Sequence, residues 1–199
     1  MRYKHLQTSL IFIFISILTS CATVGPAQIQ SLNATERQQI LSRIQTWQLN
    51  GKIGVQTDND SGSAFVTWVQ NKNQYQISLL SPLGTGGFKL VGQPHQVVLT
   101  TADGKHFTAA TPEQLLAEQW GYDLPISYLH DWIRGLPAAG VAYQGESDQN
   151  HRFTQLTQQN WHVQFQHYVQ IDGTELPNKI SITSPSLRIK IVIYHWKLG

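Results

Sequence analysis

The chain has 199 residues, 41% of them hydrophobic and 13% charged, with 14 Lys+Arg against 12 Asp+Glu and a single cysteine. That length allows one sizeable core, commonly a single unit in all-β proteins, and the composition excludes a disordered chain. No pair of cysteines is present for a disulfide or a cysteine-based metal site.

The first residues differ from the rest. Arg2 and Lys4 open the chain with positive charge, and LIFIFISIL, Leu10 to Leu18, follows as an apolar run too short to span a bilayer comfortably. This is the pattern of a bacterial-type export signal. The run stops at LTSC, Leu18 to Cys21, which resembles the lipobox of bacterial lipoproteins with Thr19 and Ser20 in place of its commonest Ala-Gly form. The resemblance implies cleavage before Cys21 and lipidation of Cys21 as the new N-terminus. Residues 1–20 are then expected to be signal, 21–32 a lipidated tether and 33–199 one domain. Ala22 is not the aspartate that retains such lipoproteins in the inner membrane of enterobacteria, which implies sorting to the outer membrane, periplasmic face. An uncleaved anchor with a free Cys21 thiol is the alternative. Losing Arg2 and Lys4 takes Lys+Arg from 14 to 12, equal to the 12 Asp+Glu. A chain near zero charge with no basic cluster is a poor candidate for nucleic acid or for electrostatic membrane docking.

VGPAQIQSL, Val24 to Leu32, has neither charge nor period and reads as tether. Asn33 with Glu36 fits a capping box, and Ile40, Leu41, Ile44 and Trp47 recur at helical spacing, predicting a helix that ends around Thr46. From Trp47 the period becomes two: Trp47, Leu49, Gly51, Ile53 and Val55 share one side of a strand, and DNDSG, Asp58 to Gly62, turns the chain. AFVTWVQ (Ala64 to Gln70) and QYQISLL (Gln74 to Leu80) follow as strands. LLSPLGTGGF then places Pro82, Gly84, Gly86 and Gly87 in a turn whose tip carries an apolar residue, Leu83. Turn positions are usually polar, so Leu83 is either tucked back onto the rim or exposed for a purpose. FKLVG and QVVLT continue the meander from Phe88 to Thr100. These five strands joined by short turns predict antiparallel pairing.

Thr111 and Pro112 start a helix, with Gln114 completing a capping box and Gly121 as its stop. A second helix runs from Pro125 to Arg134 before Gly135, with Ile126, Leu129, Trp132 and Ile133 in one stripe. After GLPAAG the strands return in RFTQLTQ, WHVQFQHYVQ, KISIT and LRIKIVIYHW, which ends at Trp196. Nine to eleven strands in two groups predict a mainly β protein curled into a barrel or half-barrel with helices over an open side.

Catalytic patterns are weak. GTGG, Gly84 to Gly87, is followed by a strand and lacks the Lys-Ser/Thr pair of a phosphate loop. No nucleophile elbow or zinc-protease motif is present. His162 and His167, five apart on a strand, are expected on opposite faces, so no metal site is expected. Asp123, His130 and Asp131 cluster in sequence, but Asp131 is adjacent to His130 and is not expected to face it. No enzyme, cofactor or metal is expected. The positive signal is apolar and aromatic: a curled sheet of this size is either packed or hollow, and small barrels do hold apolar ligands.

TWQLNGKIGV, WVQNKNQYQISLLSPLGTGGFKLVG, LLAEQWGYDLPISYLHDWIRGLP, QNWHVQFQHYV and LPNKISI resemble the LolB family of outer-membrane lipoprotein receptors, over Trp47 to Trp196. The telling motifs are SPLG at Ser81 to Gly84, P-x-x-x-L-x-x-W-x-x-G-L-P from Pro125 to Pro137, and Q-N-W at Gln159 to Trp161. The resemblance implies an open, incomplete antiparallel β-barrel of about eleven strands with an N-terminal helix and a helical lid at about 111–135. It implies a cavity that takes the acyl chains of lipoproteins from a LolA-type periplasmic carrier, and their insertion into the inner leaflet of the outer membrane without ATP. It further implies that Pro82, Leu83 and Gly84 form a membrane-insertion loop with Leu83 at its tip.

Alternation and the helix stripe, not motif, select the candidate cavity residues: Ile53, Val55, Val66, Trp68, Ile77, Leu79, Leu129, Trp132 and Ile133. Lys52, Lys89 and Arg134 are candidates for a charged rim facing the carrier. A monomer is expected. A structural outer-membrane lipoprotein with a packed core, a carrier of another lipid with the same fold, and an envelope hydrolase remain alternatives.

Overall fold

Helix α1 (Ala34–Arg43) opens the part of the chain that the computed structural model describes, residues 33–84, 86–121 and 124–199. The expectations for the signal, the tether and Cys21 lie outside these residues. Asn33 Oδ1 accepts from the Glu36 amide while the Glu36 carboxylate accepts from the Asn33 amide, a complete capping box. The helix stops at Arg43 rather than Thr46, because Ile44 leaves helical geometry and Thr46 already pairs with Asn71 in the sheet.

Strands β1 (Thr46–Gln56), β2 (Ser61–Asn71), β3 (Gln74–Leu80), β4 (Gly87–Gln93), β5 (Gln96–Thr101) and β6 (His106–Ala109) form an antiparallel meander. Helices α2 (Pro112–Trp120) and α3 (Ile126–Trp132) interrupt it. A second meander follows: β7 (Gln144–Ser147), β8 (Phe153–Gln158), β9 (Trp161–Ile171), β10 (Thr174–Thr183) and β11 (Arg188–Leu198). β1 pairs with β11, which joins the two meanders into one 11-stranded sheet in the order β6-β5-β4-β3-β2-β1-β11-β10-β9-β8-β7. β6 and β7 are therefore its edges and the barrel is open, as the sequence predicts. Both edge strands are only four residues long, too short to show a period, and neither was expected.

The inner face is one apolar surface. Leu49, Trp68, Ile77, Leu90 and Leu99 stand opposite one another in register from β1 to β5, and Ile191, Ile180, Ile182 and Val163 continue it through β11, β10 and β9. Each such side chain contributes about 1.5–3 kcal/mol on full burial. Gly51 sits at the one register shift between β1 and β11, where a Cβ would overlap the Val192 carbonyl. A smaller cluster of Leu41, Leu136 and Leu176 holds α1 on the outside. Residues 31–199 form a compact unit that contains both clusters. The unit thus carries its own core, the condition for folding as an independent domain.

Polar anchors fix the helices over the opening. Thr111 Oγ1 accepts from the Gln114 amide, but the Gln114 side chain turns to Glu118, so only half of the expected capping box forms. Glu113 Oε1 instead accepts from the Ser127 amide and supplies the first turn of α3 with a cap from α2. Pro125 stands at the N-cap of α3 rather than inside it. Arg134, buried beyond the end of α3, donates to the Leu41 and Ile44 carbonyls at the end of α1 and pairs with Asp131. One guanidinium therefore satisfies open carbonyls of a neighbouring helix.

Candidate functional site

Because inward residues on β1 to β4 face the lid across the sheet, they enclose a space. The space is a cavity of about 220 Å³. Ile53 and Val55 of β1, Val66 and Trp68 of β2, Ile77 and Leu79 of β3, and Leu129 and Ile133 at the lid line it. These are eight of the nine candidates chosen from alternation and the helix stripe. Trp132 is the exception. It lies on the same helix stripe, but its indole nitrogen donates to Gln158 Oε1 at 2.7 Å, and the ring packs against Tyr128 and Trp161 in the core. An apolar stripe says which residues are buried; the indole N–H, which needs a buried partner, decides where this one goes.

Lining residues that the sequence reading missed include Leu49, Phe88, Leu90, Leu116, Trp120, Leu124 and Ile191. Leu49 and Ile191 were legible from their alternation, whereas Leu116 and Trp120 depend on how α2 docks. Phe88 and Trp120 meet with ring centroids 4.5 Å apart, so α2 closes onto β4 through an aromatic contact. The polar part of the lining is at one end, where the β1–β2 turn contributes Thr57 and Asp60 and the start of β2 contributes Ser61 and Gly62.

The β3–β4 loop leaves the same end of the sheet. The Gly84 amide donates to the Ser81 carbonyl at 2.9 Å, and the Ser81 amide donates to the Gly86 carbonyl at 2.8 Å. Gly84 takes φ 70°, a left-handed value suited to glycine. The turn leaves Pro82 and Gly84 exposed and Leu83 86% exposed, not folded onto the rim.

Other candidates come together differently than expected. His130 and Asp131, though adjacent, share a hydrogen bond of 3.0 Å at the last turn of α3, where both also meet Arg134. Burial opposes ionisation of Asp131, but hydrogen bonds from His130 and the Ala139 amide, with the charges of His130 and Arg134, outweigh it and hold the carboxyl below its ordinary value. Burial pushes the Tyr75 hydroxyl well above the usual phenol range, with the Glu113 charge adding to it. Asp123 lies outside the described residues. His162 and His167 are both exposed, because the β9–β10 register passes from Phe165 to His167 and the slip cancels their odd spacing. Among the described residues no group of three or more His, Cys, Asp or Glu converges as a metal site would require. Of the three rim candidates, Arg134 is buried, while Lys52 and Lys89 are exposed on the outer face of the sheet.

Residues 45–196 match the family described as Outer membrane lipoprotein LolB. The chain belongs to the LolB family. An outer-membrane lipoprotein LolB of Pseudomonas syringae pv. syringae is 36% identical over 207 residues, covering 98% of each chain. That of Ectopseudomonas mendocina is 37% identical over 204 residues, covering 98% of this chain and 96% of its own. Among solved structures, a LolA superfamily protein from Nitrosomonas europaea superposes with a TM-score of 0.52 at 10% identity, over 84% of this chain and 94% of its own. A putative outer membrane lipoprotein-sorting protein domain from Vibrio parahaemolyticus superposes with a TM-score of 0.53 at 8% identity and the same coverage. These likenesses show the fold alone, an open β-sheet lidded by helices.

Proposed function

We propose that the protein is a receptor that takes the acyl chains of lipoproteins from a LolA-type periplasmic carrier into the cavity and inserts the lipoproteins into the inner leaflet of the outer membrane without ATP. The observation that carries this reading is an apolar cavity whose lining reaches the β1–β2 turn, at the same end of the sheet as an exposed leucine loop. Membership of the LolB family supports it and favours it over a structural lipoprotein with a packed core.

An acyl chain of about sixteen carbons, at roughly 0.8 kcal/mol per buried CH₂, costs more than ~10 kcal/mol to expose to water. A transfer protein therefore has to offer continuous apolar cover from carrier to bilayer. Handover without ATP needs only a downhill sequence of affinities, and about 1.4 kcal/mol per step gives a tenfold bias. Walls of leucine, isoleucine, valine and aromatic rings suit such loose holding, since contacts of this kind have no preferred direction. The cavity, at about 220 Å³, is smaller than the roughly 300–1,000 Å³ of ordinary ligand sites. Loading thus requires α2 and α3 to move outward, which separates Phe88 from Trp120. Leu83, flanked by Pro82 and Gly84, enters the leaflet and brings the cavity mouth to it. The protein acts as a non-enzymatic monomer, held at the periplasmic face of the outer membrane by a lipid on Cys21.

The test is cargo transfer. A carrier loaded with an acylated lipoprotein is mixed with residues 31–199 in the presence of liposomes, and the holder of the cargo is followed with time. The wild type is expected to take the cargo and deliver it, and Leu83→Glu to take it without delivering it. A wild type that takes no cargo would refute the receptor reading; a Leu83→Glu variant that delivers normally would refute the role of the loop.

A further inference from the structure

Strand alternation sorts charge as well as hydrophobicity. With Ile53, Val66, Leu79, Phe88 and Ile191 facing the cavity, the residues between them face outward across β10, β11, β1, β2, β3 and β4. These strands carry Lys52, Lys89, Lys179, Arg188, Lys190 and Lys197, all exposed. The one carboxylate on them is Glu175, held by Arg37 and Arg152 on the far part of β10. None of the six cations is in an ion pair among the described residues. A formal net charge of only +2 thus hides a sheet whose outer face is cationic.

An apolar strip joins this face to the loop. Phe65, 47% exposed, stands directly opposite Leu80, 53% exposed, and Leu80 leads into the turn that carries Leu83. On the other side of Phe65 the opposite residue is Lys52. Lys89 lies two residues beyond Gly87, the partner of Leu80, and Lys190 two residues from Val192, the partner of Lys52. With strands about 4.8 Å apart, the three lysines bracket the apolar strip within a few strand widths. Asp58 and Asp60, in the β1–β2 turn, lie beyond the end of this face.

We propose that this outer face is a membrane contact for anionic phospholipid headgroups: Phe65 and Leu80 sit at the interface, and Lys52, Lys89 and Lys190 bind the headgroup charge beside the inserted Leu83. The proposal rests on the membrane role of Leu83 given above and adds the lipid class. It also gives the protein an orientation, because a loop with one leucine at its tip does not fix which side of the sheet lies down, whereas a cationic face does. Each lysine within a Debye length of an anionic surface raises partitioning roughly fivefold, so three acting additively give on the order of a hundredfold, and at least about tenfold is the threshold for the proposal.

The test is sedimentation of residues 31–199 with vesicles of phosphatidylcholine alone and of phosphatidylcholine mixed with phosphatidylglycerol, at low and high salt. The wild type is expected to prefer the anionic vesicles by at least about tenfold at low salt and to lose that preference at high salt. The triple variant Lys52→Gln/Lys89→Gln/Lys190→Gln is expected to lose the preference while binding neutral vesicles as the wild type does. Equal wild-type binding to both vesicles, or a preference that survives in the triple variant, overturns the proposal. Leu83→Glu separates the two readings: undiminished binding of this variant to neutral vesicles refutes the loop's membrane role, whatever the lysines do.

Discussion

Replacing Gln158 with leucine tests whether the segment after α3 is held by one buried side chain. Gln158 is fully buried at the end of β8, and its amide is saturated. Its Oε1 accepts from Trp132 Nε1 and from the Ala138 amide, each at 2.7 Å, and its Nε2 donates to the Ala138 and Val141 carbonyls at 3.1 and 3.0 Å. Leucine keeps the bulk and abandons all four groups. At about 1 kcal/mol for each buried group left unpaired, the low end of the range, the loss is about 4 kcal/mol. For a domain of this size that lowers Tm by roughly 8–16 °C. The assay is urea denaturation of residues 31–199, followed by tryptophan fluorescence and by circular dichroism, with coincident transitions required for a two-state reading. Trp132→Phe removes only one donor and leaves Ala138 on the same oxygen, so it costs about 1 kcal/mol plus lost packing. The double variant then costs less than the sum of the two, since the Trp132–Gln158 bond is lost only once. A loss below about 1 kcal/mol for Gln158→Leu would refute the claim that this side chain fastens the lid segment to the sheet.

Leu83→Ala leaves the urea midpoint within about 0.5 kcal/mol of wild type, since the side chain packs on nothing, yet weakens vesicle binding roughly tenfold, as expected for removing most of a leucine from a bilayer; a destabilised variant would mean that Leu83 packs onto the domain. Gly51→Ala drives a Cβ into the Val192 carbonyl at the β1–β11 seam and costs about 1–3 kcal/mol; a neutral substitution in the same denaturation assay would show that the seam gives way. Asp131 and Asp148 both have carboxyls held below their ordinary values: burial works against ionisation in each, and hydrogen bonds with nearby cations outweigh it. A depressed carboxylate stabilises the fold above its unfolded pKa of about 4, and that stability goes as pH falls through the lower folded value. Stability is therefore expected to be level from about pH 7 to about pH 5 and to fall below about pH 4. Asp131→Asn lowers the plateau and shrinks the fall, and an unchanged acid limb in this variant would refute its part.

Most strands were legible because one side of each is buried. Trp47, Leu49, Ile53 and Val55 alternate with polar residues, as do Ile189, Ile191 and Ile193, and a period of two over so many residues admits one reading. The edges failed for the opposite reason: Gln144–Ser147 is exposed throughout, so no burial wrote a pattern into it. At the candidate site, strand parity named six of the lining residues, because a strand has only two faces. Lid residues are harder, since a helix stripe is wide enough to cover both cavity and core, and Trp132 fell on the core side through its N–H. The His162–His167 pair shows the remaining limit, since a register slip leaves no signal in the residues that flank it. The cationic outer face was also invisible in the net charge, because total charge carries no information about which side of a sheet each lysine takes.

The pairing of β1 with β11 has a consequence for how the protein reaches its fold. Trp47 stands opposite Leu198 at the middle of the sheet, so the seam joins residues from the two ends of the described chain. Each meander assembles through neighbours close in sequence, but their union waits for β11, and ordering so distant a contact is slow. Until β11 emerges from synthesis, β1 and β10 present open edges beside apolar faces, which are templates for pairing with other chains. A chain cut before Leu187 would be fixed in that condition, with both meanders made and nothing between them.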